Sequence, residues 1–373
     1  MKMRIVIMGG GFGGINAAVK LKKLLKDPKH QITLITQSDI FCFRPSLVWV
    51  PFNERTIEDI SLSLQDFIRK EEIEFVVQHV KKIEPSKNIV CLENNTIQYD
   101  YLIIATGAKP DYEQVRGLED HTHSIYYPND ALITKKSIET IKEGDDIVIG
   151  VAKGNPNPLP AYEFLFELDA FLKKNKINAN LTFITYEEYL IDVAPDNVKK
   201  HFIKHFKDKN ISFLTNSEIK KVKEKCIILK NDEAVPFSFL LILPPYKGQD
   251  YIFKSNLHHN NGLIPVEESL LSIEWDNIYA VGDGCLLPSQ QMIKSGWAAE
   301  LQGEIAAENI SSRIFKKQKE KTYKDHMLSL VDLGTDGGLF TFKNDSFQFT
   351  FEGTSPHIMK VALEKYYLQK FKG

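Results

Sequence analysis

Three glycines at positions 9, 11 and 14, within the run GGGFGG, are the residues whose spacing most directly implies chemistry. They satisfy G-x-G-x-x-G, in which each glycine has a mechanical job. Gly9 permits a tight turn, Gly11 lets backbone approach a pyrophosphate, and Gly14 allows a helix to lie close on a strand. Phe12 sits inside the same loop and joins these three as a cofactor-binding candidate. A helix starting here turns free N–H groups and the positive end of its dipole towards phosphates. Two later runs add to the set. Ala105-Thr106-Gly107 ends an apolar run with small residues that let backbone pass close to a nucleotide, and Gly282-Asp283 ends another with a carboxylate aimed at the same place.

The elements that must position these residues are legible around them. Ile5 to Met8 reads as a buried strand, and Ile15, Ala17, Ala18, Leu21, Leu24 and Leu25 give helical spacing after the glycines. Gln31 to Thr36 reads as the second parallel strand. An acidic residue commonly ends that strand and holds the ribose; here Thr36 and Gln37 stand at the end and Asp39 comes late. Thr36 or Gln37 can still hold an adenosine ribose by hydrogen bonds, and the missing acid weakens the case for NAD at this first site more than the case for FAD. Ile57 to Lys70 is predicted as a helix, and Glu74 to Val80 as a strand. Asp145 to Gly150 starts a second strand–turn–helix unit, but its turn carries Pro156, Pro158 and Pro160. Proline supplies no N–H to a phosphate, so this loop is poorly made for a pyrophosphate. The matching helix is predicted over Glu163 to Lys174, a further one over Met292 to Ile310, and three strand-like runs lead to a last helix from His357.

Composition bounds the rest. At 373 residues, 43% hydrophobic and 26% charged, the chain is an ordinary globular protein of two or three domains. A net charge of −2 gives no reason to expect nucleic acid as a partner. The four cysteines, at 42, 91, 226 and 285, show no zinc spacing, so no metal site is expected. The first apolar run is too short for a signal peptide, and no run is long enough to span a bilayer. A reducing, cytoplasmic setting is the expectation.

GGGFGG, YDYLIIATGA and IYAVGDG, in this order, resemble the two-dinucleotide-domain flavoproteins. FRPSLVWV, PAYEF, LPPY and MIKSG narrow the resemblance to the sulfide:quinone oxidoreductase and flavocytochrome c sulfide dehydrogenase branch, related to single-subunit NADH:quinone dehydrogenases. It implies an α/β fold: two Rossmann-like dinucleotide-binding domains (the FAD/NAD(P)-binding fold) and a small C-terminal α+β region. The expected boundaries are 1–110 with 250–312 for FAD, 111–249 for the second domain and 313–373 for the last. By the same resemblance Val80 would meet the adenine through its backbone, Asp283 would bind a ribityl hydroxyl, and Arg44-Pro45 would lie along the isoalloxazine. Lys294 would sit near its N1/O2 side, where a cation stabilises the anionic reduced flavin.

One departure matters. Sulfide:quinone oxidoreductases carry sulfur on two cysteines facing the flavin, one just before the PAYEF-like segment and one towards the C-terminus. Here the first region is GNPNPLPAYEF, and residues 286 to 373 hold no cysteine. Cys42 and Cys285 remain as thiols the fold would bring towards the flavin, and Cys42 and Lys294 are the two catalytic candidates; a small buried hydrophobe is the plain alternative for Cys42. The expected function is an FAD-dependent oxidoreductase passing electrons from a small reductant to a quinone or similar acceptor. An NAD(P)H:acceptor oxidoreductase and a flavin-binding protein without sulfide chemistry are the alternatives. Apolar residues and lysines from His357 onwards, Lys360, Lys365, Lys370 and Lys372 among them, lead us to expect an interfacial helix on the inner face of a membrane. A homodimer stays open.

Overall fold

The computed structural model describes residues 2–192, 194–257, 261–288, 293–317 and 320–373. Strand β1 (Arg4–Met8) buries Ile5, Val6, Ile7 and Met8, the unbroken apolar pattern of a parallel strand covered on both faces. Helix α1 (Phe12–Leu24) follows the glycine turn and leads to β2 (Gln31–Thr36), then β3 (Glu74–Val77) and β4 (Tyr101–Ile104). Met8 stands opposite Ile35 of β2 and Ile104 of β4, both in parallel register.

Between β2 and β3 the structure corrects two expectations. Only Gln65–Lys70 of the predicted 57–70 helix is α-helical. Ser61–Ser63 instead pairs antiparallel with Ile40–Cys42, placing Ser61 opposite Cys42, so a tertiary strand partner overrides the local apolar period. The run from Glu74 also breaks at Gln78-His79, and Val80 opens a separate strand, Val80–Glu84.

The chain then builds a second parallel sheet from β5 (Asp146–Val151), β6 (Asn180–Thr185), β7 (Ser212–Leu214) and β8 (Phe239–Leu243), in the order β7–β6–β5–β8. Helix α2 (Leu159–Lys174) starts four residues before the predicted Glu163. Pro160 falls in its first turn, where the missing N–H would be unpaired anyway. Strand β9 (Ile278–Ala280) returns to the first sheet and completes the order β9–β4–β1–β2–β3. Helix α3 (Gly296–Ile314) lies on α1 so closely that a Cβ at Gly303 would stand 2.2 Å from the Gly13 carbonyl oxygen. Its predicted start at Met292 falls outside the described residues.

The last segment is an antiparallel sheet, β10 (Met327–Asp332), β11 (Gly338–Lys343) and β12 (Gln348–Gly353), followed by α4 (Thr354–Lys370). Met327, Val331 and Leu339 join the core of the second sheet, while Tyr367 and Phe371 enter the core of the first. Helix α4 is therefore partly an internal strut. Two of the four lysines expected to face lipid phosphates are turned inwards: Lys360 pairs with Glu163, and Lys370 with Glu300. Among the described residues no helix is long and apolar enough to cross a membrane.

Candidate functional site

A cavity of about 1080 Å³ runs along the carboxyl ends of the first sheet and under the last segment. Every cofactor-binding position expected from sequence lines it except Gly14: Gly9, Gly11, Phe12, Thr36, Gln37, Arg44, Pro45, Val80, Ala105, Thr106, Gly107, Gly282, Asp283 and Lys294.

The glycines divide the work. Gly9 has φ +111°, and a Cβ there would stand 2.3 Å from the Ala105 carbonyl oxygen. A Cβ on Gly14 would stand 1.9 Å from the Gly9 oxygen, so this residue is excluded from the wall because it holds the turn against the helix. Gly11 meets nothing within 4 Å, so the space before it is open cavity. It is also the N-cap of α1, which has no side-chain cap and no acidic residue in its first turn. Uncapped N–H groups facing an open cradle are what a pyrophosphate needs, and in this respect the residues present fit a dinucleotide.

At the end of β2, Thr36 Oγ1 donates to the Ser38 carbonyl oxygen at 2.9 Å, leaving Gln37 the freer of the two for a ribose. Phe12 packs edge-on against Phe41, Phe43 and Tyr367 at 5.3, 5.8 and 4.9 Å, so it ties α1 to the wall and to α4. Beyond β9, a 3-10 turn (Gly282–Gly284) presents Asp283. Buried Lys294 clamps that turn, donating to the carbonyl oxygens of Asp283 at 2.9 Å and Cys285 at 2.6 Å. Two of its three hydrogens are thus taken by backbone, and its charge is held at the cavity wall. The Arg44 guanidinium stands 5.1 Å from the Tyr126 ring centroid and 5.6 Å from that of Tyr127.

Of the four cysteines, Cys42 alone lines the cavity. Burial pushes its thiol up, outweighing the opposing effects of Ser61 and Arg44, so it is a reluctant thiolate. Cys285 is fully buried, with its Sγ 3.1 Å from the Gly282 oxygen, and burial pushes it up as well.

Sequence reasoning missed a buried polar cluster at the far end of the cavity. Lys360 of α4 donates to Glu163 of α2 and lies 4.0 Å from Asp332; both Lys360 and Glu163 line the cavity. Asp332 also accepts from Trp49 Nε1 at 2.9 Å and pairs with His357 Nδ1 at 3.0 Å. Lys360 stands 4.3 Å from the Trp49 ring centroid. Burial pushes the Glu163 carboxyl up to about 7 against the pull of Lys360. Glu167, one turn on, is pushed up to about 9 by burial and then by Glu54 and Glu163. The signal was present: two glutamates four apart interrupt the apolar helix PAYEFLFEL.

The loop after β5 is closed by its own side chains. Asn155 Nδ2 donates to the Pro244 oxygen at 2.6 Å, Asn155 Oδ1 accepts from Asn157 N at 2.9 Å, and Asn157 Oδ1 accepts from Leu159 N at 3.3 Å. Glu187, just past the end of β6, is also committed: it accepts from Thr185 Oγ1 at 2.8 Å, Tyr162 OH at 3.2 Å and Asp192 N at 2.9 Å. Neither the helix start nor this acid is free for a second nucleotide.

Comparisons with known proteins agree with this layout. The profile of the pyridine nucleotide-disulphide oxidoreductase family matches residues 3–153. The sulfide-quinone reductase of Aquifex aeolicus is 29% identical, over 100% of this chain and 92% of its own. A type II NADH:quinone oxidoreductase of Staphylococcus aureus is 22% identical over 90% of this chain and 87% of its own. Among solved structures, the Aquifex aeolicus sulfide:quinone oxidoreductase superposes with a TM-score of 0.92, covering 99% of this chain and 91% of that one, at 29% identity. Plasmodium falciparum NDH2 shares the fold with a TM-score of 0.79 at 18% identity, covering 100% and 95%.

Proposed function

From a chain that is an FAD-dependent oxidoreductase, similar along its whole length to sulfide:quinone oxidoreductase, we propose an enzyme that moves electrons from a small reductant to a quinone without a two-cysteine sulfur cycle and without NAD(P)H. The observation that carries this reading is the Lys360–Glu163 pair at the apolar end of the cavity, beside Leu328, Leu330 and Leu363. A quinone gaining two electrons must also gain two protons. Glu163 holds a proton up to about pH 7 and can deliver it to a quinone oxygen, while Lys360 stabilises negative charge developing there.

FAD, when bound, accepts an electron pair from the donor and passes it to the acceptor. Gly9 and Gly11 with the start of α1 hold the pyrophosphate, and Gln37, Thr36 and Val80 border the adenosine. Asp283 takes the ribityl chain. Lys294 places positive charge at the wall next to it, and Arg44-Pro45 bounds the ring.

The closed Asn155–Leu159 loop argues against an NAD(P)H donor, and the absence of any cysteine from 286 to 373 argues against paired sulfur carriers. Cys42 acts as a wall residue, since its raised pKa disfavours a thiolate. Adding sulfide and then NADH to the oxidised protein while following flavin absorbance near ~450 nm separates the readings. Bleaching by NADH at a catalytic rate overturns this one; bleaching by sulfide or another small thiol, reversed by a quinone, is the expected result.

A further inference from the structure

The buried polar cluster at the far end of the cavity reaches solvent at His357. His357 and Lys360 stand three residues apart on α4, so they share a face, and both meet Asp332 at the end of β10. His357 Nδ1 lies 3.0 Å from Asp332 Oδ1, Lys360 Nζ lies 4.0 Å from Asp332 Oδ2, and Lys360 donates to Glu163. The side chains of Asp332, Lys360 and Glu163 are 2%, 4% and 7% exposed, whereas that of His357 is 45% exposed. Trp49 Nε1 holds Asp332 Oδ2 in place at 2.9 Å, and the Arg55 guanidinium stands 4.9 Å from the centroid of that indole. Glu54 and Glu167 are the other acids whose charge acts on this cluster. The result is a chain of proton-carrying groups with one end in the cavity and the other in water.

We propose that His357, Asp332 and Lys360 form a relay that carries protons from bulk water to Glu163 during quinone reduction. The inference rests on the quinone reading above and goes beyond it by naming where the protons enter. An apolar acceptor seated against Leu328, Leu330 and Leu363 displaces water from this end of the cavity, so Glu163 must be recharged through the protein. Glu163 gives its proton to a quinone oxygen and becomes a carboxylate, while the electron pair comes from the reduced flavin. The Lys360 ammonium then passes a proton to that carboxylate along its hydrogen bond. The amine left behind takes a proton from the Asp332 carboxyl, which Asp332 has itself taken from His357 Nδ1. A small rotation of the flexible lysine stem closes the 4.0 Å gap. Water recharges the half-exposed imidazole, so one proton has crossed and every relay group is restored. Two such passages supply the two protons of a hydroquinone. Imidazole suits the entry position because its charge ordinarily changes near neutral pH and its two nitrogens can take and give on opposite sides.

The test uses the flavin-loaded full chain, photoreduced and then mixed in a stopped-flow instrument with a water-soluble short-chain quinone or with ferricyanide. Both acceptors take electrons, but only the quinone takes protons, so the ratio of the two reoxidation rates isolates proton supply. In His357→Ala that ratio should fall about tenfold, and free imidazole in the buffer should restore it. His357→Asn keeps a donor for the Asp332 carboxylate without carrying a proton, and its ratio should fall as far. A ratio kept by His357→Asn overturns the proposal, because His357 would then only fasten Asp332. So does a slow His357→Ala that imidazole does not restore. A parent that reduces ferricyanide but no quinone removes the acceptor reading and the relay with it, whereas a parent that reduces quinone with insensitive variants removes the relay alone.

Discussion

Lys360 donates a hydrogen bond to Glu163 across 197 residues of sequence, fastening α4 to α2 inside the cavity wall. Asp332 and the Trp49 ring complete the lysine's surroundings. A buried cation beside a carboxyl that titrates near neutrality is suited to proton delivery, because a general acid works best when its pKa lies near the working pH.

Glu163→Gln should therefore lower quinone reduction by about a hundredfold, while leaving the flavin bound. The parent's kcat should fall as pH rises through about 7, where Glu163 loses its proton, and the variant should lack that limb. A pH profile with short-chain quinone decides it; an unchanged limb in the variant assigns the titration to another group.

Glu167 makes a separate statement about stability. Its folded pKa, about 9, lies above the value of about 4.3 for an unfolded glutamate. The protonated form is favoured by the fold, so this contribution is complete below pH ~4.3 and is lost as pH rises towards 9. Glu167→Gln removes that slope. The melting temperature of the variant relative to the parent should climb steadily from pH 5 to pH 9, and a constant difference would contradict the assignment.

Gly11 and Gly14 should fail in different ways. Gly11→Val adds a side chain to open space, so the chain should fold with near-parental circular dichroism yet retain no FAD. Gly14→Ala drives a Cβ into the Gly9 carbonyl and should lower the melting temperature as well as flavin content. Flavin retained by Gly11→Val would sink the cradle assignment.

NADH at physiological concentration should reduce the flavin far more slowly than an ordinary turnover of about 10 per second. Stopped-flow absorbance reads this directly. Asn157 already accepts the Leu159 N–H at the start of α2, so a phosphate would have to displace it.

Acid precipitation should release all flavin into the supernatant, and Cys42→Ala should bind flavin as the parent does. Burial keeps the Cys42 thiol protonated, which disfavours both a covalent link and a thiolate cycle. Flavin remaining in the protein pellet would reverse this view.

The first sheet, the glycine turn and the Ala105–Gly107 and Gly282-Asp283 strand ends were legible because their signals are local. An unbroken apolar run is a buried strand, and glycine is the residue that tolerates φ +111° with a carbonyl 2.3 Å from where its Cβ would be. The proline-filled second loop was legible for the same reason, since a missing N–H is a property of the residue itself.

Other features depended on partners far along the chain. Helical spacing over Ile57–Lys70 gave way to pairing with Ile40–Cys42, because a strand's partner is chosen in space. Lys360 and Lys370 carried the pattern of surface lysines, and only the fold brought Glu163 and Glu300 to them. The sequence by itself determined the glycine turn and the strand ends that border the cavity, through backbone conformations that a few residue types permit. The tertiary structure decided which acids and lysines lie buried together, because burial and charge pairing arise only when distant segments meet.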